Sequence, residues 1–392
     1  LTSGIIELDR DWTENRPPRF TLGKQCPAPG GLAPAPGLPA GRAYGYFLNA
    51  QGEISFVLPL ERGCAIDPSR DQVYLAGDFN RWEAAQKLAL RRLLAAVAGN
   101  GHAELDARFV EALRGVLRHP DLDAAFKELV LTLPSEAYVA EQLEVVDPQR
   151  VHAAREGMRL QLAHVLHEDW VWAYEQHHEL GGYSPDPVSA GRRALANLAL
   201  GMLVLDASVR HNPIWTGRAF QRFKDATNMT DRLGALSALV NAHAELAEQA
   251  LERFHQQFRG EALVIDKWFS LQAMAPEKDG KVFARAKALM LHPDFTLRTP
   301  NRARSLLMAL CQSNPAAFHR TDAAGYVFWA DRVIEIDGIN PQLAARLARA
   351  MDHWRRLAEP YRTAAREALS RVAARTELSD DVREIVTRAL QD

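Results

Sequence analysis

From Gly77 onward the apolar residues recur at helical spacing, segment after segment, with short polar or proline-marked breaks between them. A one-sided helix cannot bury its apolar stripe alone, and short connections force successive helices to lie antiparallel. The run opens at Asp78-Phe79-Asn80-Arg81-Trp82, ahead of a stripe made by Leu88, Leu90, Leu93, Leu94 and Val97, and Gly99-Asn100-Gly101 stops it. Further helices are expected over 104–118, 148–165 and 192–205. From Pro213 they follow in close succession: 213–226, 229–242, 244–258, 261–273, 281–291, 300–311, 325–336, 341–357, 360–374 and 379–390. Successive hairpins stacked into a superhelical α-solenoid explain this alternation better than one compact bundle.

Residues 1–76 have another character. Short runs such as Gly4-Ile5-Ile6-Glu7-Leu8, Arg19-Phe20-Thr21-Leu22, Tyr44-Gly45-Tyr46-Phe47-Leu48 and Ile54-Ser55-Phe56-Val57-Leu58 have the length and residue types of strands. Proline- and glycine-rich segments separate them, notably 26–41, and Asn49-Ala50-Gln51-Gly52 suits a hairpin turn. The expected fold class is therefore mainly α: a small antiparallel β-sandwich over 1–76, then the helical solenoid over 77–392. The chain opens on Leu1 in material that reads as mid-domain sequence, so a piece of a longer protein is expected.

Within the helical part, residues 295–351 hold the densest signals. A polar capping residue meets a proline three times, at Thr299-Pro300, Asn314-Pro315 and Asn340-Pro341. Each pair suits a helix start, with the side-chain oxygen taking an orphan N–H and proline standing where no N–H is needed. The first and third starts lie roughly 40 residues apart, about one helical-repeat period. Each is followed by an arginine, Arg304 and Arg346, which would face one inner surface if the hairpins stack in register. Two readings stand side by side: exposed, solvated arginines, or guanidinium forks that capture a carboxylate.

Other chemistry finds little support. The formal net charge of -2 gives no basic field for nucleic acid or an anionic membrane. No apolar run approaches the roughly 20 uncharged residues that span a bilayer, and no signal peptide is recognisable. Cys26, Cys64 and Cys311 are scattered and form no CxxC pair, so neither a disulfide framework nor a thiolate metal site is expected, and a reducing, cytoplasmic setting is the simpler one. Of the 13 histidines, those in His167-Glu168 and His178-Glu179 lack the second imidazole of His-Glu-x-x-His, and His177-His178 is adjacent rather than four apart. Phosphate-cradling glycine loops and GxSxG elbows are absent from the sequence. Lys267-Trp268-Phe269 and Tyr326, Phe328 and Trp329 read as packing residues. No catalytic centre and no metal ligand is expected.

Seven phrases in one order nevertheless carry a resemblance. They are Gly77-Asp78-Phe79-Asn80-Arg81-Trp82-Glu83-Ala84-Ala85-Gln86, Leu131-Thr132-Leu133-Pro134-Ser135-Glu136, Ala226-Thr227-Asn228-Met229-Thr230-Asp231 and Val264-Ile265-Asp266-Lys267-Trp268-Phe269, then Pro300-Asn301-Arg302-Ala303-Arg304-Ser305-Leu306, Asn314-Pro315-Ala316-Ala317-Phe318-His319 and Asn340-Pro341-Gln342. Together they resemble the C-terminal part of bacterial aminopeptidase N, the zinc-dependent alanyl aminopeptidases. The segment around Arg19-Phe20-Thr21-Leu22-Gly23-Lys24-Gln25-Cys26-Pro27 is similar to that family's small β-sandwich.

The resemblance implies a division of labour. Zinc ligands, the Gly-x-Met-Glu-Asn segment and the transition-state tyrosine would belong to an upstream catalytic domain of the same polypeptide, whose motifs this sequence does not contain. The present chain would be the sandwich plus a helical cover that encloses a cavity for peptide substrates. Arg304 and Arg346 match family arginines on the cavity wall, near the C-terminal side of bound peptide. The parent would carry zinc, while the isolated chain would hold none and be inactive, and neither nucleic acid nor membrane would be a partner. The competing class is a stand-alone helical-repeat module that binds a protein or peptide on its concave face.

Overall fold

The computed structural model describes four strands within residues 1–76 and, apart from 100, 102–104 and 179–181, residues 78–391. The chain divides into two compact units, Leu1–Ala85 and Gln86–Asp392. In the first, Phe20–Leu22, Thr2–Leu8, Ile54–Leu60 and Tyr46–Leu48 lie side by side in that order, all antiparallel. Ile6 pairs with Leu22 on one side and Phe56 on the other. Among the described residues these strands form a single sheet, and the two-layered sandwich expected over 1–76 is not seen in them; Cys26, Cys64 and the turn expected at 49–52 fall outside the described residues.

The second unit is built from helices whose starts follow from their capping chemistry. Asp106, Asp123, Ser135, Asp147, Asp186, Asn212, Asn228, Asn314 and Asn340 each accept a backbone N–H in the first turn through the side-chain oxygen. At Asp147, Asp186, Asn212, Asn314 and Asn340 a proline follows directly. Thr299 departs from the expectation: Pro300 starts the helix, but the threonine hydroxyl makes no capping bond.

Between these helices lies one continuous apolar core, running from Leu93 and Leu117 through Met158, Leu200, Leu239, Phe269 and Trp329 to Val386. Tryptophans lace it together. The indole N–H of Trp170 donates to Leu162 O, Trp268 to Leu251 O, Trp329 to Leu347 O and Trp354 to Ala389 O, at 2.9–3.1 Å. Each ring thus buries its apolar body while its one donor finds a partner. The Pro187–Val209 helix, longer than the expected 192–205, is by length and composition able to cross a membrane. It packs instead against five neighbouring helices and carries Arg192, Arg193 and Asp206, the pattern of a core helix.

A nearest-neighbour stack would leave distant helices apart. Here the segment before and within Pro148–Val165 is tied to residues far along the chain. Val146 exchanges backbone bonds with Arg356 and Ala358 at 2.6 and 2.8 Å, in a parallel bridge to Leu357. Arg356 caps the carbonyls of Ala140, Glu141 and Leu143. Gln149 Nε2 donates to Ala316 O and His319 O at 2.8 and 2.9 Å. This clasp also explains why the helix expected over 341–357 ends early. Pro341–Ala348 passes into short 3-10 turns at Arg349–Met351 and Trp354–Arg356, and Leu357 leaves as extended chain toward Val146.

Candidate functional site

The stretch 295–351 is built around a defect. The helix expected over 300–311 starts at Pro300–Ala303, widens into a π-helical turn at Arg304–Met308 and resumes as Ala309–Ser313. Ser270 Oγ donates to the Ser305 carbonyl at 2.9 Å, giving a carbonyl in that turn a partner outside its own helix. A π turn inserts one residue and re-aims the side chains around it, which is why such turns gather at functional positions.

Arg304 is the first residue of that turn and is half-buried. Its Nη1 donates to Asn301 Oδ1 at 3.1 Å, and its Nε is buried without a hydrogen-bond partner. Arg332 Nε is buried in the same state, so this feature alone does not mark a ligand position. Arg346 stands exposed in the last turn of Pro341–Ala348. Gln312 Nε2 donates to the Arg346 carbonyl at 2.8 Å, so the two arginine-bearing helical segments are tied directly. Gln312 lies about two helical turns beyond Arg304, so this bond joins the two segments without bringing their guanidinium groups together.

Cavities around this stretch are lined by residues that sequence reasoning passed over. Where the clasp closes, a cavity of about 340 Å³ takes in Glu136, Gln312, His319, Arg349, His353 and Arg356. Arg349 lies one helical turn beyond Arg346. These residues come together only through the long-range contacts, so no local spacing could have signalled them. A larger groove, of about 900 Å³, lies between the Lys281–Leu289 helix with its following loop and the Ala324–Asp337 helix, floored by Phe283, Phe295 and Phe328.

His319 sits at the closure with Nδ1 2.9 Å from the Tyr326 hydroxyl. Burial lowers its imidazole from the usual range to about 4, so the folded protein holds it neutral. The unfolded chain protonates the same ring near pH 6.5. The folded state thus binds fewer protons, and its stability is full above about pH 6.5 and is lost as pH falls toward 4, by about 3 kcal/mol. His319→Gln, which keeps a hydrogen-bonding side chain without titrating, is expected to flatten that part of the stability profile in urea titrations at stepped pH. Parallel profiles for the two proteins would remove His319 as the cause.

The other histidines singled out have structural partners. His167 Nδ1 lies 3.0 Å from the buried Asp206 carboxylate, His178 stacks on Tyr174 with centroids 5.0 Å apart, and His177 Nδ1 meets Ala173 O at 2.9 Å. They do not fit the catalytic zinc that the resemblance implies for the parent enzyme. Trp268, Phe269, Tyr326 and Trp329 are buried in the core, as their apolar flanks suggest, whereas Phe328 is only half-buried.

Capped helices stacked in succession, laced by buried tryptophans, define the second unit as a helical-repeat domain. Residues 76–391 match the family described as "Domain of unknown function (DUF3458_C) ARM repeats", and the chain belongs to that family. It is homologous to the C-terminal region of bacterial aminopeptidase N. Identity is 37% over 338 residues to Aminopeptidase N of Caulobacter vibrioides, 34% over 316 to that of Haemophilus influenzae and 32% over 316 to that of Escherichia coli. These alignments take in 86%, 80% and 80% of this chain but only 38%, 35% and 36% of those proteins. The chain also resembles in fold the crystal structure of Legionella pneumophila aminopeptidase A in complex with aspartic acid. There the TM-score is 0.72 at 22% identity, over all of this chain and 45% of that one.

Proposed function

We propose that this chain is the non-catalytic C-terminal part of a cytoplasmic zinc metallo-aminopeptidase, which releases N-terminal residues from peptides. Residues 1–76 would be its sandwich, and 77–392 would cover the catalytic cleft and form the wall along which peptides enter. Homology to aminopeptidase N supports the peptidase setting. The observation that carries the wall role is the half-buried Arg304 at a π turn, on a helical segment tied to that of Arg346. A substrate carboxylate would meet the outer Nη edge of Arg304, whose bond to Asn301 is exposed, and Arg346 adds a second, solvent-facing fork.

In the full-length enzyme, Arg304→Ala and Arg346→Ala are each expected to raise KM for a free-carboxylate peptide roughly tenfold, the scale of one charge-assisted hydrogen bond. An uncharged aminoacyl amide reporter should be nearly unaffected. Equal losses on both substrates would refute carboxylate capture. The 392-residue chain alone, given zinc and an alanine reporter, is expected to be inactive, and robust turnover would overturn the assignment. The apolar groove, where Leu291 is 87% exposed, favours the second reading, a helical-repeat interaction module. A parent reading frame lacking His-Glu-x-x-His upstream of Leu1 would decide for it.

A further inference from the structure

We propose that His255, His292 and Asp294 form a binding site for one zinc-type transition-metal ion within the helical unit. His255 stands on the Ala247–Phe258 helix, and His292 and Asp294 lie in the turn that follows Lys281–Leu289. The three residues can each offer one donor atom such that all three atoms lie within 4.8 Å of one another. His255 Nε2 is 2.6 Å from Asp294 Oδ2, and His292 Nδ1 is 4.0 Å from the same oxygen. Two imidazoles and a carboxylate are the donor set of many three-ligand zinc sites, with water in the fourth position. A tetrahedral ion with bonds of about 2.0–2.1 Å wants its donors about 3.3 Å apart. Loading therefore opens the His255–Asp294 pair slightly and draws His292 in, by less than about 1 Å each. His292 Nδ1 gives up its 3.1 Å contact with the Asp294 N–H in exchange.

The surroundings hold these donors in place. The His255 and His292 rings meet edge to face at 4.9 Å, and Trp268 lies 4.9 and 5.3 Å from them. Phe269 closes the other side of His292 at 5.8 Å. The turn itself is fixed by the Phe295 N–H on His292 O at 2.9 Å, and by Arg302 Nη1 on the Asp294 carbonyl. Arg302 brings a positive charge close by, but Asp266 accepts its Nε at 2.5 Å and balances that charge. The donor side chains keep between 22% and 38% of their surface in solvent, so an ion can reach a partly dehydrated nest whose ligands are already ordered. No sequence template could find the trio, because one ligand is 37 residues from the next and lies on another element.

The test titrates zinc chloride into the 392-residue chain by calorimetry, with Co²⁺ absorption as an optical readout. Expected are one saturable equivalent, visible Co²⁺ bands of a four-coordinate site, and a rise in Tm with zinc that a chelator reverses. Asp294→Asn, which keeps the shape of the carboxylate and a hydrogen bond to His255, should weaken zinc binding at least tenfold and bleach the Co²⁺ bands. His255→Gln should do the same, with circular dichroism reporting that each variant is folded. No saturable zinc binding in the unsubstituted chain, or variants that bind zinc as tightly as it does, would overturn the proposal and leave the trio as a hydrogen-bonded clip on the turn.

Discussion

Gly325→Ala is expected to destabilise the helical unit by about 3 kcal/mol or more, as forced overpacking does in a tight core. A Cβ at this position would stand 1.9 Å from the Phe318 carbonyl oxygen and 3.0 Å from its carbon. Both are backbone atoms, so no side chain can swing aside. Relief would require the Ala324–Asp337 helix to move off the Pro315–Phe318 turn. That helix cannot retreat cheaply: Tyr326 and Trp329 are 1% and 0% exposed, and the Trp329 indole is bonded to Leu347 O. Urea denaturation should show a lower midpoint with unchanged slope. Gly217→Ala provides the contrast, since its added methyl meets nothing within 4 Å on the exposed face of the Pro213–Asp225 helix. There the expected change is a gain of about 0.5–1 kcal/mol. If Gly325→Ala were as stable as the parent, the close approach of that carbonyl would be wrong.

Helix starts were legible in the sequence because capping is local chemistry. Asp147, Asn314 and Asn340 announce their helices by the side chain and the proline that follows, and the structure uses them so. Helix interiors were less legible. The π turn at Arg304 changes the register by one residue and leaves no mark on apolar periodicity. The end of the Pro341–Ala348 helix is set by a backbone bridge to Val146, more than 200 residues earlier, so nothing within 341–357 could announce it. The candidate site divides along the same line. Arg304 and Arg346 stand out as residues that follow proline-marked, similarly spaced helix starts, while Arg349, His353 and the His255–His292–Asp294 trio exist only through tertiary contact.

The phrase Asn301-Arg302-Ala303-Arg304 shows how neighbouring arginines part company, and it yields the second large effect. Arg302→Met is expected to cost about 3–5 kcal/mol, because one partner of a buried ion pair is removed and the other is stranded. The Arg302 side chain is 10% exposed and that of Asp266 16%. The guanidinium donates to Asp266 at 2.5 Å, to the Asp294 carbonyl and to Ala262 O at 3.4 Å, and it lies 5.0 Å over the Phe269 ring. Arg302→Lys should recover little, since one ammonium cannot serve acceptors spread over three directions. Adding Asp266→Leu to Arg302→Met removes the stranded carboxylate and should restore most of the loss, which a double-mutant cycle in urea would measure. Strict additivity of the two substitutions would mean that the pair is not coupled. Arg304→Ala should behave in the opposite sense, leaving stability nearly unchanged while altering peptide KM, because its one fixed partner is the exposed Asn301. The two arginines, two residues apart, would then separate an anchor that holds the π turn on the core from the substrate contact proposed for Arg304.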